Sequence, residues 1–186
     1  MSITVILGSP RLESNSEKLA REAATSMSGP DNPVEYFKLN DLRFRGCQGC
    51  GSCKTKTEFC VIKDDLARVL SAAASSDFLI VTTPIYIGEI ASQLKGFVDR
   101  SYCWYKPDFI TNSAPSRLKP GKKLLFIVSQ GNPDPGAYQK NIDNYLGYFG
   151  THGFKAACFH ALVGIDDVTT QRPDLLAEVV DLAKSL

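Results

Sequence analysis

ITVILGSPRLESNS, residues 3–16, is a short apolar run followed by a turn dense in small polar side chains, just ahead of a helical pattern. Ile3–Leu7 is nearly continuous in its apolarity rather than alternating, which suits a strand covered on both faces. Working outward, Phe78–Thr82, Leu124–Val128 and Ala156–Leu162 have the same character, and Val34–Leu39 is a weaker fifth run. Helical periodicity fills the intervals at Asn15–Ser26, Asp64–Ser75, Ala91–Tyr102, Ala137–Phe149 and Pro173–Leu186. The last of these carries acids early and Lys184 late, as a helix dipole favours.

Strands alternating with helices predict an α/β domain with right-handed crossovers. Five strands in this rhythm predict a flavodoxin-like three-layer sandwich, with a five-stranded parallel sheet of order 2-1-3-4-5. The 186 residues read as a single domain spanning 1–186, large enough to bury a core without cross-links. A net charge of +1 with both signs dispersed gives no basic face for nucleic acid. No apolar run reaches the roughly 18 residues of a membrane helix, and no secretory leader precedes Ile3. The expectation is a cytoplasmic protein without membrane or nucleic-acid partners.

In an open parallel sheet, ligands bind beyond the C-terminal ends of the strands, so three loops matter most. Gly8–Ser16 offers Ser9, Ser14, Asn15 and Ser16 as short donors, with Arg11, at a helix N-terminus that favours a phosphate dianion. It has neither the Gly-Lys-Ser/Thr of a nucleoside-triphosphate loop nor a G-x-G-x-x-G dinucleotide turn, so a single terminal phosphate, as in FMN, fits better. The second loop contains Thr83, Pro84, Ile85, Tyr86, Ile87 and Gly88, a stiff and greasy platform for an isoalloxazine ring. The third, after Leu124–Val128, holds Gly131 and Asn132, whose backbone donors could meet the flavin pyrimidine.

Cysteines 47, 50, 53 and 60 form a C-x2-C-x2-C-x6-C run in a loop at 45–62. In a reducing compartment such a cluster signals metal or redox chemistry. The tight triplet matches the way bacterial ferredoxins supply thiolates to a [4Fe–4S] cube. Zinc, which usually takes two separated knuckles, remains open, as do free thiols and disulfides. Cys103, Cys158, His152 and His160 read as structural, and neither a hydrolytic triad nor a general base can be assigned.

Gly8-SPR with Asn15-Ser16, Thr83-PIY-Ile87-Gly88 and Lys95-GFV-Asp99-Arg100 together resemble the NAD(P)H-dependent FMN reductases of the flavodoxin superfamily. The cysteine run followed by Val61-IKDDL makes the chain similar to their iron–sulfur flavoprotein branch. The resemblance implies an FMN phosphate at Ser9, Arg11, Asn15 and Ser16, and a ring over Pro84–Gly88. It also implies NAD(P)H as a possible electron donor and a homodimer or homotetramer with the flavin near a subunit interface. The expected activity is an FMN-dependent oxidoreductase that couples flavin chemistry to a [4Fe–4S] centre, with small-molecule or protein electron donors and acceptors. The alternatives are a cluster-free NAD(P)H-dependent FMN or quinone reductase, a non-catalytic flavin electron carrier, and a phosphate-binding regulatory module.

Overall fold

Five parallel strands, β1 (Ile3–Leu7), β2 (Val34–Lys38), β3 (Phe78–Tyr86), β5 (Lys122–Gln130) and β6 (Phe154–Leu162), form a sheet of order β2-β1-β3-β5-β6 in a computed structural model. Residues 1–163 and 167–186 are described. The order is the expected one for the five long strands. A sixth strand, β4 (Glu89–Ile90), was not expected; it folds back antiparallel on the end of β3, pairing Ile85 with Ile90 and Tyr86 with Glu89.

Side-chain alternation divides the core into two layers. Ile6, Leu79, Val81, Leu124 and Phe126 face helices α3 (Asp65–Ser75), α4 (Ser92–Arg100) and α5 (Gln139–Thr151). Ile3, Val5, Leu7, Ile80, Leu125 and Ile127 face α1 (Asn15–Met27) and α6 (Pro173–Ser185). Both faces are thus buried, which explains the continuous apolar runs. The helix expected to run to Tyr102 ends at Arg100 and tightens into a 3-10 turn, Ser101–Trp104. A further short helix, α2 (Ser52–Thr55), lies within the cysteine run, beyond Gly51.

The sheet places the ends of β1, β3 and β5 side by side. Leu7 pairs with Thr82, and Pro84 pairs with Ser129. Gly8 follows β1 directly, and its N–H donates to Thr82 O at 3.0 Å. A Cβ at Gly8 would lie 2.5 Å from that oxygen and 2.8 Å from Leu94 Cβ, so only glycine allows the first loop to leave the sheet so close to β3.

Candidate functional site

Ser9, Arg11, Ser14 and Asn15 from the first loop, Pro84, Ile85 and Tyr86 from β3, and Ser129 and Gln130 from β5 with Gly131 just after it border one cavity of about 70 Å³. Three stretches far apart in sequence therefore meet at one point on the sheet edge. The volume is well below the roughly 300–1,000 Å³ of a whole small-molecule site. It suits the anionic end of a ligand whose bulk lies outside.

The first loop is held by its own hydroxyls and by its neighbours. Ser14 caps α1, accepting from Glu17 N at 3.2 Å, and its Oγ stands 3.4 Å from Ser16 Oγ. Ser9 Oγ accepts from Arg11 N at 3.3 Å, while Ser9, Ser14 and Ser16 are all buried. Lys38, at the end of β2, donates to Leu12 O at 2.7 Å and ties the turn down from the other side. Asn15 Oδ1 accepts from Val168 N at 3.3 Å, and Lys18 pairs with Asp167 at 2.6 Å, so Asp167 and Val168 are fastened to the start of α1. The first turn of a helix presents N–H groups without intrahelical partners, and the dipole adds partial positive charge. Hydroxyls, amides and Arg11 around a helix start form an anion-accepting set.

The second stretch differs from its expected form. Thr83–Tyr86 is the last part of β3, and the reversal is confined to Ile87 and Gly88, with φ of 50° and 78°. Thr83 is buried and turned inward: its Oγ1 donates to Pro84 O at 2.9 Å and accepts from Ala91 N at 3.0 Å, which ties β3 to the start of α4. Tyr86 is exposed and Ile87 fully so, leaving an apolar surface at the tip of the β3–β4 arm. Helix α5 braces this arm: Asn141 Nδ2 donates to Gly88 O, and Tyr145 OH donates to Glu89 Oε1 at 2.8 Å.

On the third stretch, Gly131 borders the cavity but Asn132 does not. Asn132 instead organises the turn, its Oδ1 accepting from Asp134 N at 2.9 Å. Gln130, which the sequence reading missed, is buried there; its Nε2 donates to Asn132 O and Asp134 O, each at 2.8 Å, and its Oε1 accepts from His160 Nε2 at 2.6 Å. A polar residue closing an apolar strand at the ligand edge is the signal that could have identified it.

Cys47, Cys50, Cys53 and Cys60 border a second cavity of about 330 Å³, together with Lys54, Arg100, Tyr102 and Cys103. All six cysteines are free thiols. Among the described residues, no three His, Cys, Asp or Glu side chains are gathered closely enough to hold a metal ion. The four cysteines thus share one cavity without three such side chains converging on one point. Cys50 nonetheless favours the thiolate. Hydrogen bonds from the Ser52 backbone and hydroxyl hold the Cys50 thiol below its ordinary pKa. Gly49 N donates to Cys47 Sγ at 3.5 Å, and Lys54 Nζ lies 3.6 Å from Cys53 Sγ. Lys54 also donates to Tyr102 O and Tyr105 O at 2.7 and 2.9 Å, anchoring α2 to the turn after α4. Buried Arg100 has one orphaned donor, since its Nε finds no hydrogen-bond partner. Four thiols, a lysine and an unspent guanidinium N–H fit an anionic, thiolate-held centre.

Cys103, which borders the same cavity, and Cys158 are pushed up to about 11 and 12 by burial, which keeps both protonated and inert. Among the described residues, no helix is long and apolar enough to cross a membrane.

The model of a family described as NADPH-dependent FMN reductase matches residues 1–155. An iron–sulfur flavoprotein of Methanosarcina thermophila is 29% identical over 153 residues, covering 82% of this chain and 75% of that protein. One from Methanocaldococcus jannaschii is 36% identical over 101 residues, 54% of this chain and 52% of that protein, so the match spans about half the length of this second relative. The structure of an NAD(P)H:quinone oxidoreductase from Methanothermobacter marburgensis superposes with a TM-score of 0.71 at 16% identity, covering 100% of this chain and 95% of that one, a likeness of fold.

Proposed function

The chain belongs to the family of NADPH-dependent FMN reductases, and from that premise we propose that it binds FMN at the ends of β1, β3 and β5 and transfers electrons between it and a [4Fe–4S] centre held by Cys47, Cys50, Cys53 and Cys60. The observation that carries the flavin reading is the meeting of three loops at one anion-sized cavity beside an exposed apolar arm. The four cysteines around a common cavity, and the iron–sulfur flavoproteins among the relatives, support the cluster.

In this reading Ser9, Arg11, Ser14, Asn15 and Ser16 hold the phosphate. Pro84, Ile85 and Tyr86 lie beneath the ring, with Ile87 and Gly88 at its rim, and the turn at Gly131 offers backbone donors to its polar edge. Bound FMN supplies the conversion between two-electron and one-electron transfer. The chain's own work is to place the ring, keep it dry on one face and fix charge around it. A nicotinamide donor and a second copy of the chain near the flavin complete the proposal.

The test is purification without oxygen, followed by counting FMN, iron and sulfide per chain. About one FMN with about four iron and four sulfide fits this reading. FMN with negligible iron after anaerobic reconstitution leaves the cluster-free reductase, and a colourless protein without flavin affinity overturns both.

A further inference from the structure

We propose that Arg100 is the positioning residue of the cysteine site: it clasps both ends of the 45–62 loop and offers its remaining N–H to a sulfur of the centre held there. A guanidinium has five N–H donors. Four are spent: Nη1 donates to Arg45 O at 2.8 Å and Asp64 Oδ2 at 2.9 Å, and Nη2 to Ile62 O at 3.1 Å and Asp64 Oδ1 at 3.2 Å. Arg45 and Ile62 flank the four cysteines, so one side chain joins the loop's entry to its exit. Asp64 strengthens the closure by accepting from Arg45 N at 3.1 Å.

The fifth donor, Nε–H, is buried and finds no close partner among the described residues. The Arg100 side chain has no exposed surface, yet it borders the cavity shared by the cysteines, and its guanidinium already acts on the Cys60 side chain as a hydrogen-bond donor and through its charge. Leaving a charged N–H unpaired in the interior is costly, and a thiolate sulfur in that cavity would relieve it. Hydrogen bonds to cluster sulfurs stabilise the more negative, reduced state and raise the reduction potential. The clasp needs no metal, whereas the donor role rests on the cluster reading.

The test uses the full chain with two replacements. Arg100→Lys keeps the charge but lacks the fork, and the double variant Asp64→Leu with Arg100→Met removes a buried ion pair without leaving half of it behind. Hydrogen exchange over residues 45–62 in the metal-free protein reads the clasp, and FMN titration reports whether the flavin end is intact. The expected result is exchange faster by roughly tenfold or more in both variants, as for the loss of one or two hydrogen bonds, with FMN affinity near wild type. After anaerobic reconstitution, Arg100→Lys should lose iron faster and shift the cluster's midpoint potential to more negative values. Unchanged loop exchange in both variants overturns the clasp. An unchanged midpoint potential in iron-loaded Arg100→Lys overturns the donor role. If wild-type protein takes up no iron, the cluster reading and the donor role fall together, while the exchange rates still decide the clasp.

Discussion

Gly8 and Gln130 shape the strand ends at which we propose FMN binds. Gly8→Ala would drive a Cβ into Thr82 O and Leu94, and backbone cannot yield as a flexible side chain can. We expect a loss of about 1–3 kcal/mol in stability, the range for overpacking, together with weaker FMN binding, both read from urea denaturation with and without flavin. Gln130→Leu keeps the size and removes two bonds to the Asn132–Asp134 turn and one to His160. At about 1 kcal/mol per net hydrogen bond, fluorescence titration should show FMN affinity down by about tenfold or more. The serines of the first loop announce themselves in sequence because their role is local, between neighbours at the start of one helix. Gln130 and Arg100 do not, because their partners stand up to 30 and 55 residues away, respectively, and only the folded sheet brings them together.

β1, β3 and β5 were the most legible because each is buried on both faces, which leaves an unbroken apolar signature, whereas the edge strands β2 and β6 are only partly buried. Strand ends were less legible. β3 runs past Thr82 to Tyr86, through a proline and an exposed tyrosine that read as a loop. Pro84 is tolerated near the end of the strand, where β3 is about to leave its pairing with β5 at Ser129. Strand β4 has two residues and α2 has four, too few for any periodicity to register. The candidate site shares this division: the polar turn after β1 and the cysteine spacing were readable, while the inward turn of Thr83 and the structural role of Asn132 depend on contacts no spacing encodes. The β3–β4 arm yields its own prediction. Tyr145→Phe removes the hydroxyl that holds Glu89, at a cost of about 0.5–1.5 kcal/mol. Tyr86→Ala, at an exposed position, should leave the thermal midpoint nearly unchanged. In both variants, bound flavin should show altered absorbance and less quenching, and a wild-type spectrum in Tyr86→Ala would mean that the ring lies elsewhere.

His152 ties global stability to pH. It is fully buried against Trp104, Tyr105 and Tyr148, with Nδ1 3.1 Å from Ser116 Oγ and Nε2 without a partner among the described residues. Burial, then the charge of Lys54, depress its pKa to about 4 from an ordinary 6.5. The unfolded chain therefore takes up the proton first as pH falls. The stabilisation is present above about pH 6.5 and is lost between there and pH 4, amounting to about 3 kcal/mol. Urea denaturation of metal-free protein at pH 7 and pH 4.5 should show this decline, and His152→Phe should remove most of it. On the proposed reading, however, three strand ends converge to grip the FMN phosphate. Titrating the flavin-free protein with FMN and with riboflavin, which differ only in that phosphate, tests it most directly. Charge-assisted hydrogen bonds to the first loop should make FMN tighter by at least about tenfold; equal affinities for the two would contradict the assignment of the loop.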